Sequence, residues 1–229
     1  MAKEYNVTQS ELDSLANKIR EKTSTTDKII FPEGFVSGIE AAYNEGRKSL
    51  LGFIEGLNVE ITKEDLKGVT KIRPYFCYSA SVTSVDIPET VTNIGSSAFR
   101  ECVNLTHISI PDSVISAGDR VFYHCTSLQG SLYLGNIASI NAHFCNGCTG
   151  LTEVIFGKGL KKIYGYAFGS CVNIKTFDLT ACEDVPTLVE LTAFNNIPDF
   201  TVLVKSSLLD EFRNASVWSS ISNKIISVS

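Results

Sequence analysis

The chain has 229 residues, 44% of them hydrophobic, and its 20 basic and 25 acidic side chains leave a formal charge of −5. That size allows a substantial core and up to two units. The acidic balance, with no run of Lys or Arg, argues against a nucleic-acid partner, and no apolar stretch approaches the ~20 residues of a membrane-spanning helix.

Residues 1–56 read as helical. Thr8-Gln9-Ser10-Glu11 is a capping-box pattern, in which the Thr8 hydroxyl accepts from the Glu11 amide while Glu11 reaches back. Leu12, Leu15, Ala16 and Ile19 then fall on one helical stripe. Lys22 to Lys28 is polar and Ser/Thr-rich, so it reads as a loop. Pro32 suits the first turn of a second helix whose stripe is Phe35, Ile39 and Ala42. Such a hairpin is marginal alone, which predicts that it docks on a partner, on the rest of the chain or on further copies. This polar start reads as one without a secretory signal, and none is expected. The expected location is therefore a virion or tail particle, or the cytoplasm before release, with the cell surface as the alternative.

From Leu57 the pattern changes to short strands in repeating slots. Cys102, Cys125, Cys148 and Cys171 stand 23 residues apart. Val82, Leu105, Leu128, Leu151 and Ile174 keep the same period, as do Val91, Val114, Ile137 and Leu160. A period of 20–29 with fixed apolar slots predicts a leucine-rich solenoid, whose coils bury their apolar sides only by stacking. Stacking at the ~4.8 Å strand spacing turns the four cysteines into an inward ladder of free thiols. In the second coil Leu105, Ile108 and Ile110 point inward, Pro111 ends the strand because it lacks an amide, and Phe122 and Cys125 anchor a return expected to be a short helical turn. The third coil departs: its strand residues shift by one and Phe144 arrives one residue early, which predicts a bulge or local loop. The fifth coil is degraded around Cys182, Val185 and Pro186. Val202 and Val204 read as a last strand, and Leu208, Leu209, Phe212 and Trp218 as an amphipathic helix closing the stack.

The strings VTSVDIPETVTNIGSSAFRECVN and LTHISIPDSV resemble the BspA-like (Treponema-type) leucine-rich repeat, with its 23-residue unit and its I-P, V-x-x-I-G and A-F-x-x-C steps. The resemblance spans roughly residues 57–196. The ending VLVKSSLLDEFRNASVWSSISNKI is similar to that family's C-terminal cap, with Lys205 where a proline is common. The head, ELDSLANKIREKT followed by DKIIFPEGFVSGIEAAYNEGRK, resembles the leading segment of Firmicutes phage and prophage tail-associated proteins. That resemblance implies a virion or prophage structural protein with a binding solenoid, and it supplies no catalytic residues.

Chemistry-bearing motifs are sparse. His107, His124 and His143 occupy three different slots and read as solvent-facing or loop-edge residues. His143, Cys145 and Cys148 include one C-x-x-C, where a zinc site needs four ligands, so no metal or cofactor is implied. Gly157-Lys158-Gly159 lacks phosphate-loop spacing, and the three lysines between Lys158 and Lys162 read as a solvated loop edge. The outward strand positions are the remaining candidates: Ser84, Asp86, His107, Ser109, Tyr133, Glu153, Ile155, Thr176 and Asp178. Stacking aligns them into one face.

The expected fold is thus an α/β leucine-rich-repeat solenoid with a short-stranded parallel sheet. A helical hairpin (1–56) precedes the repeats (57–200), and a strand-helix cap (201–229) follows them. The expected role is non-enzymatic. The outward face would meet a protein or a cell-surface glycan, and residues 1–56 would serve homo-oligomer or tail-particle docking.

Overall fold

The computed structural model describes residues 59–228. The helical hairpin expected over residues 1–56 lies outside them. The chain coils through strands of two kinds in alternation. The first six are β1 (Val59–Ile61), β2 (Lys71–Ile72), β3 (Val82–Asp86), β4 (Asn93–Ile94), β5 (His107–Ser109) and β6 (Ser116–Ala117). The next six are β7 (Gly130–Tyr133), β8 (Ser139–Ile140), β9 (Leu151–Ile155), β10 (Lys162–Ile163), β11 (Thr176–Asp178) and β12 (Thr187–Leu188), and β13 (Thr201–Lys205) and β14 (Ile225–Val228) end the stack. Odd-numbered strands of successive coils pair in parallel along one face and even-numbered strands along a second.

Each coil buries the slots that its sequence repeats. Val85, Ile108, Leu132, Val154, Phe177 and Val202 point inward from the first face, and Ile94, Ala117, Ile140, Ile163 and Leu188 from the second. Burying one such aliphatic side chain contributes about 1.5–3 kcal/mol, which only the neighbouring coil makes possible. Phe76, Phe99, Phe122 and Phe144 stack through the interior with ring centroids 6.0, 5.6 and 5.5 Å apart.

The return leg corrects the expected helical turn. It is a third ladder built from turns. Ser97, Arg120, His143 and Tyr166 have φ of 54–57°, and Glu101, His124, Gly147 and Ser170 follow four residues later at 58–79°. Left-handed residues stop a helix from propagating and turn alternate amides toward the next coil. The amides of Ser97, Phe99 and Glu101 donate to Asp119, Val121 and Tyr123 carbonyls, and those of Arg120, Phe122 and His124 to Ala142, Phe144 and Asn146.

The irregular third coil shows where this regularity fails. The first face divides into β1-β3-β5 and β7-β9-β11-β13-β14, and the second into β2-β4-β6 and β8-β10-β12. Gly130, at φ 72°, carries a register shift, so that Ser131 and not Gly130 aligns with Glu153. The turn ladder runs through the junction unbroken.

The cap also differs from expectation. The helix α1 (Leu209–Asn214) is short, with 3-10 turns at Ser206–Leu208 and Trp218–Lys224 on either side. The chain then returns as β14, parallel to β13, as the outermost strand of the sheet. Phe212 and Trp218 are buried, with ring centroids 5.3 Å apart, and the Trp218 indole N–H donates to the Pro186 carbonyl at 2.7 Å.

Candidate binding face

On the first face the parallel register sorts the outward residues into two rows. Glu60, Ser84 and His107 align in one row, which resumes after the junction as Ser131, Glu153, Thr176 and Thr201. The second row holds Asp86 and Ser109, then Tyr133, Ile155, Asp178, Leu203 and Ile226. All nine residues singled out in the sequence are half-buried or exposed, and all stand on this one face. Within each half, parallel pairing keeps side chains of equal register on one side beyond the shifts at Glu60 and Ser131.

The rows contain residues that sequence reasoning missed. Ser131 escaped it because the third coil is shifted by one. Ile226 and Val228 escaped it because nothing in the repeat announces a strand beyond the cap.

Several polar groups on this face are held in place. The Tyr133 hydroxyl donates to Asp112, and partial burial followed by that hydrogen bond pushes the phenol up to about 12. Ser131 donates to the Glu153 carboxylate at 2.5 Å. Asp178 accepts from the Thr180 amide at 2.8 Å and from its hydroxyl at 2.6 Å. Each carboxylate retains acceptor capacity toward solvent.

The turn face carries a different arrangement. The Arg100 guanidinium lies 5.3 Å from the Tyr78 ring and 5.1 Å from the Tyr123 ring, and pairs with Glu101 at 2.9 Å. Burial opposes ionisation of Glu101, but hydrogen bonds from Arg100 and Ser79 hold its carboxyl below the usual range. Tyr123 stacks on His124 at 4.1 Å, and His143 on Tyr166 of the next coil at 5.1 Å. Rings stacked coil upon coil cover one another's faces, so this series stiffens the turn ladder more than it offers a platform. His124 and His107 are exposed as expected, whereas His143 is not a simple edge residue. Its Nδ1 is buried without a partner, and burial followed by the Arg120 charge lowers its pKa.

All seven cysteines are free and buried. The thiols of Cys102, Cys125, Cys148 and Cys171 donate to the carbonyls of Cys77, Phe99, Phe122 and Cys145 at 2.8–3.0 Å. The Phe99 and Phe122 carbonyls already accept from the amides of Cys102 and Cys125. The thiol therefore fills the second acceptor site of a carbonyl that water does not reach. Burial pushes Cys102, Cys145 and Cys148 up, and Cys182 to about 11. A protonated, buried thiol is a poor nucleophile and a poor metal ligand. Among the described residues, no group of three or more His, Cys, Asp or Glu side chains is placed to hold a metal ion. No described helix is long and apolar enough to cross a membrane.

Parallel coils of about 23 residues, with a buried Phe in each return and the cysteine ladder running through four of them, define a leucine-rich-repeat solenoid. The BspA type leucine rich repeat model matches six copies over residues 70–201, and the chain belongs to that family. Two solved structures share the fold. A leucine-rich repeat protein of T. pallidum is 21% identical at a TM-score of 0.53, with 74% of this chain and 84% of that one covered. The pneumococcal vaccine antigen PcpA is 19% identical at a TM-score of 0.60, with 74% of this chain but only 41% of that antigen covered. No curated protein matches the chain.

Proposed function

We propose that this chain is a non-enzymatic binding module that presents the outward strand face to a protein or a cell-surface glycan. The observation that supports this most directly is the alignment of the outward residues into continuous rows within each half of the face. A solenoid concentrates recognition on such a surface, because its interior is filled by stacking. The adhesin or general interaction module is the coarser form of this reading.

The finer form places the module on a phage or prophage tail, where residues 1–56 attach it to the particle or join copies together. The N-terminal resemblance supports that form. It predicts that the full chain sediments as a stable oligomer, and a strictly monomeric full chain argues against it.

The binding role is tested with the labelled full chain on intact bacteria. Retention is expected for the unaltered protein and is expected to fall about tenfold when Ser84→Arg and Asp178→Arg are introduced together. Equal retention of both proteins, with unchanged thermal midpoints, contradicts the proposed face.

A further inference from the structure

The outward face is not uniform. Among its strands, β1, β3 and β5 present Glu60, Ser84, Asp86, His107 and Ser109, all polar. Beyond the junction, the second row places Tyr133 and Ile155 on neighbouring strands and Leu203 and Ile226 on neighbouring strands, with Asp178 between the two pairs, and Val228 follows on β14. Tyr133 is 38% exposed, Ile226 46% and Val228 41%. Isolated exposed apolar residues are ordinary, but a strip aligned by register and edged by polar groups marks an interaction site.

Charge narrows the occupant. The strands of this face carry Glu60, Asp86, Glu153 and Asp178, while Lys205 is their only lysine or arginine. Asp112 adds a further carboxylate beside Tyr133. The second face is the reverse, since its strands carry Lys71 and Lys162 and no carboxylate. An acidic edge on an aliphatic strip repels nucleic acid and anionic lipid. Tyr133 is the strip's one ring, with its hydroxyl tied to Asp112, and Ile155, Leu203, Ile226 and Val228 offer no flat ring for a sugar to stack on. Complementarity instead requires cations beside aliphatic side chains, a combination that polypeptides supply.

We propose that the strip formed by Tyr133 and Ile155 and by Leu203 and Ile226, divided by Asp178 and edged by Asp112 and Glu153, binds an extended segment of a partner protein in which cationic and apolar side chains alternate. This rests on the strand face being the binding surface. An extended chain presents alternate side chains to opposite sides, so its apolar side chains meet the strip while its lysines or arginines swing toward the carboxylates. The Ser131 and Thr180 hydrogen bonds hold Glu153 and Asp178 in place before the partner arrives, which lowers the ordering cost.

The test uses the full chain at physiological salt and three short labelled peptides: alternating Lys and Val, alternating Glu and Val, and alternating Lys and Ser. The Lys/Val peptide is expected to bind, with affinity reduced about tenfold by Ile155→Ser, by Leu203→Ser and by Glu153→Gln, whereas the other two peptides bind at least tenfold more weakly. Failure of the Lys/Val peptide to bind, or its equal binding to the three variants, overturns the proposal. Retention on cells separates this failure from failure of the face as a whole. Loss of retention in Ser84→Arg with full retention in Leu203→Ser keeps the strand face and discards the strip. Full retention in both discards the two together.

Discussion

The two halves of the strand face, on either side of the third coil, are built from the same repeat and differ in their second outward row. Before the junction both outward rows are polar; beyond it the first row stays polar while the second carries Tyr133, Ile155, Leu203 and Ile226 around Asp178. The interior does not register the change. Phe99, Phe122 and Phe144 stack across the junction, and the cysteine thiols keep donating to the preceding coil. Repetition is thus enforced where side chains must fit between coils, and relaxed where they meet solvent. The break between β5 and β7 is tolerated because the turn ladder, and not the strand ladder, carries the backbone through this point.

The largest expected effect removes the closure of the second half. Trp218→Ala leaves a large void beside Phe212 and Phe194 and orphans the Pro186 carbonyl. A loss of about 3–5 kcal/mol is expected in urea denaturation. Hydrogen exchange should accelerate in β13 and β14 before it does in β3 and β5, and uniform acceleration would show that the halves unfold as one. Next, Cys125→Ala takes the second hydrogen bond from the Phe99 carbonyl inside the junction, for about 1–2 kcal/mol. A neutral result would mean that the thiol merely fills space.

Gly147→Ala tests the turn ladder. Gly147 has φ of 79°, and an added Cβ falls 2.3 Å from His124 Cδ2. The backbone preference alone costs about 1 kcal/mol, and the thermal midpoint should drop while the outward face is untouched.

The smallest effect belongs to Tyr133. Its phenol is pushed up to about 12, above the ~10 of an unfolded tyrosine. Because the folded value is the higher, the associated stability is fully present below pH ~10 and is lost as pH rises through about 12. Its exposure keeps the contribution to a few tenths of a kcal/mol. Tyr133→Phe should remove a phenol that titrates at about 12 from an alkaline absorbance titration and leave neutral-pH stability nearly unchanged. It also unties Asp112, which makes it a mild probe of the acidic edge.

The coils, their inward slots and the cysteine ladder were legible from spacing, because equivalent positions in a solenoid must stack on one another and so repeat in the sequence. The irregular third coil was legible for the same reason, as a slip in that spacing. The nine outward candidates followed from strand alternation. What escaped has a common cause. The return leg resembles a helical turn to anyone reading Phe122 and Cys125, since nothing in residue type marks Arg120 and His124 as left-handed. Ile226 and Val228 lie after a run of polar residues, where no repeat slot points to a strand.

The sequence by itself determined the solenoid, since a 23-residue period of apolar side chains has one efficient way to leave water. Only the tertiary structure decided how the outward rows are joined. It set β14 on the open edge of β13, broke the strand ladder between β5 and β7, and aligned Ile155, Leu203 and Ile226 with Tyr133 from β9, β13, β14 and β7. Those neighbours are far apart along the chain, and their alignment depends on the summed register of every pairing between them. No local spacing encodes that sum.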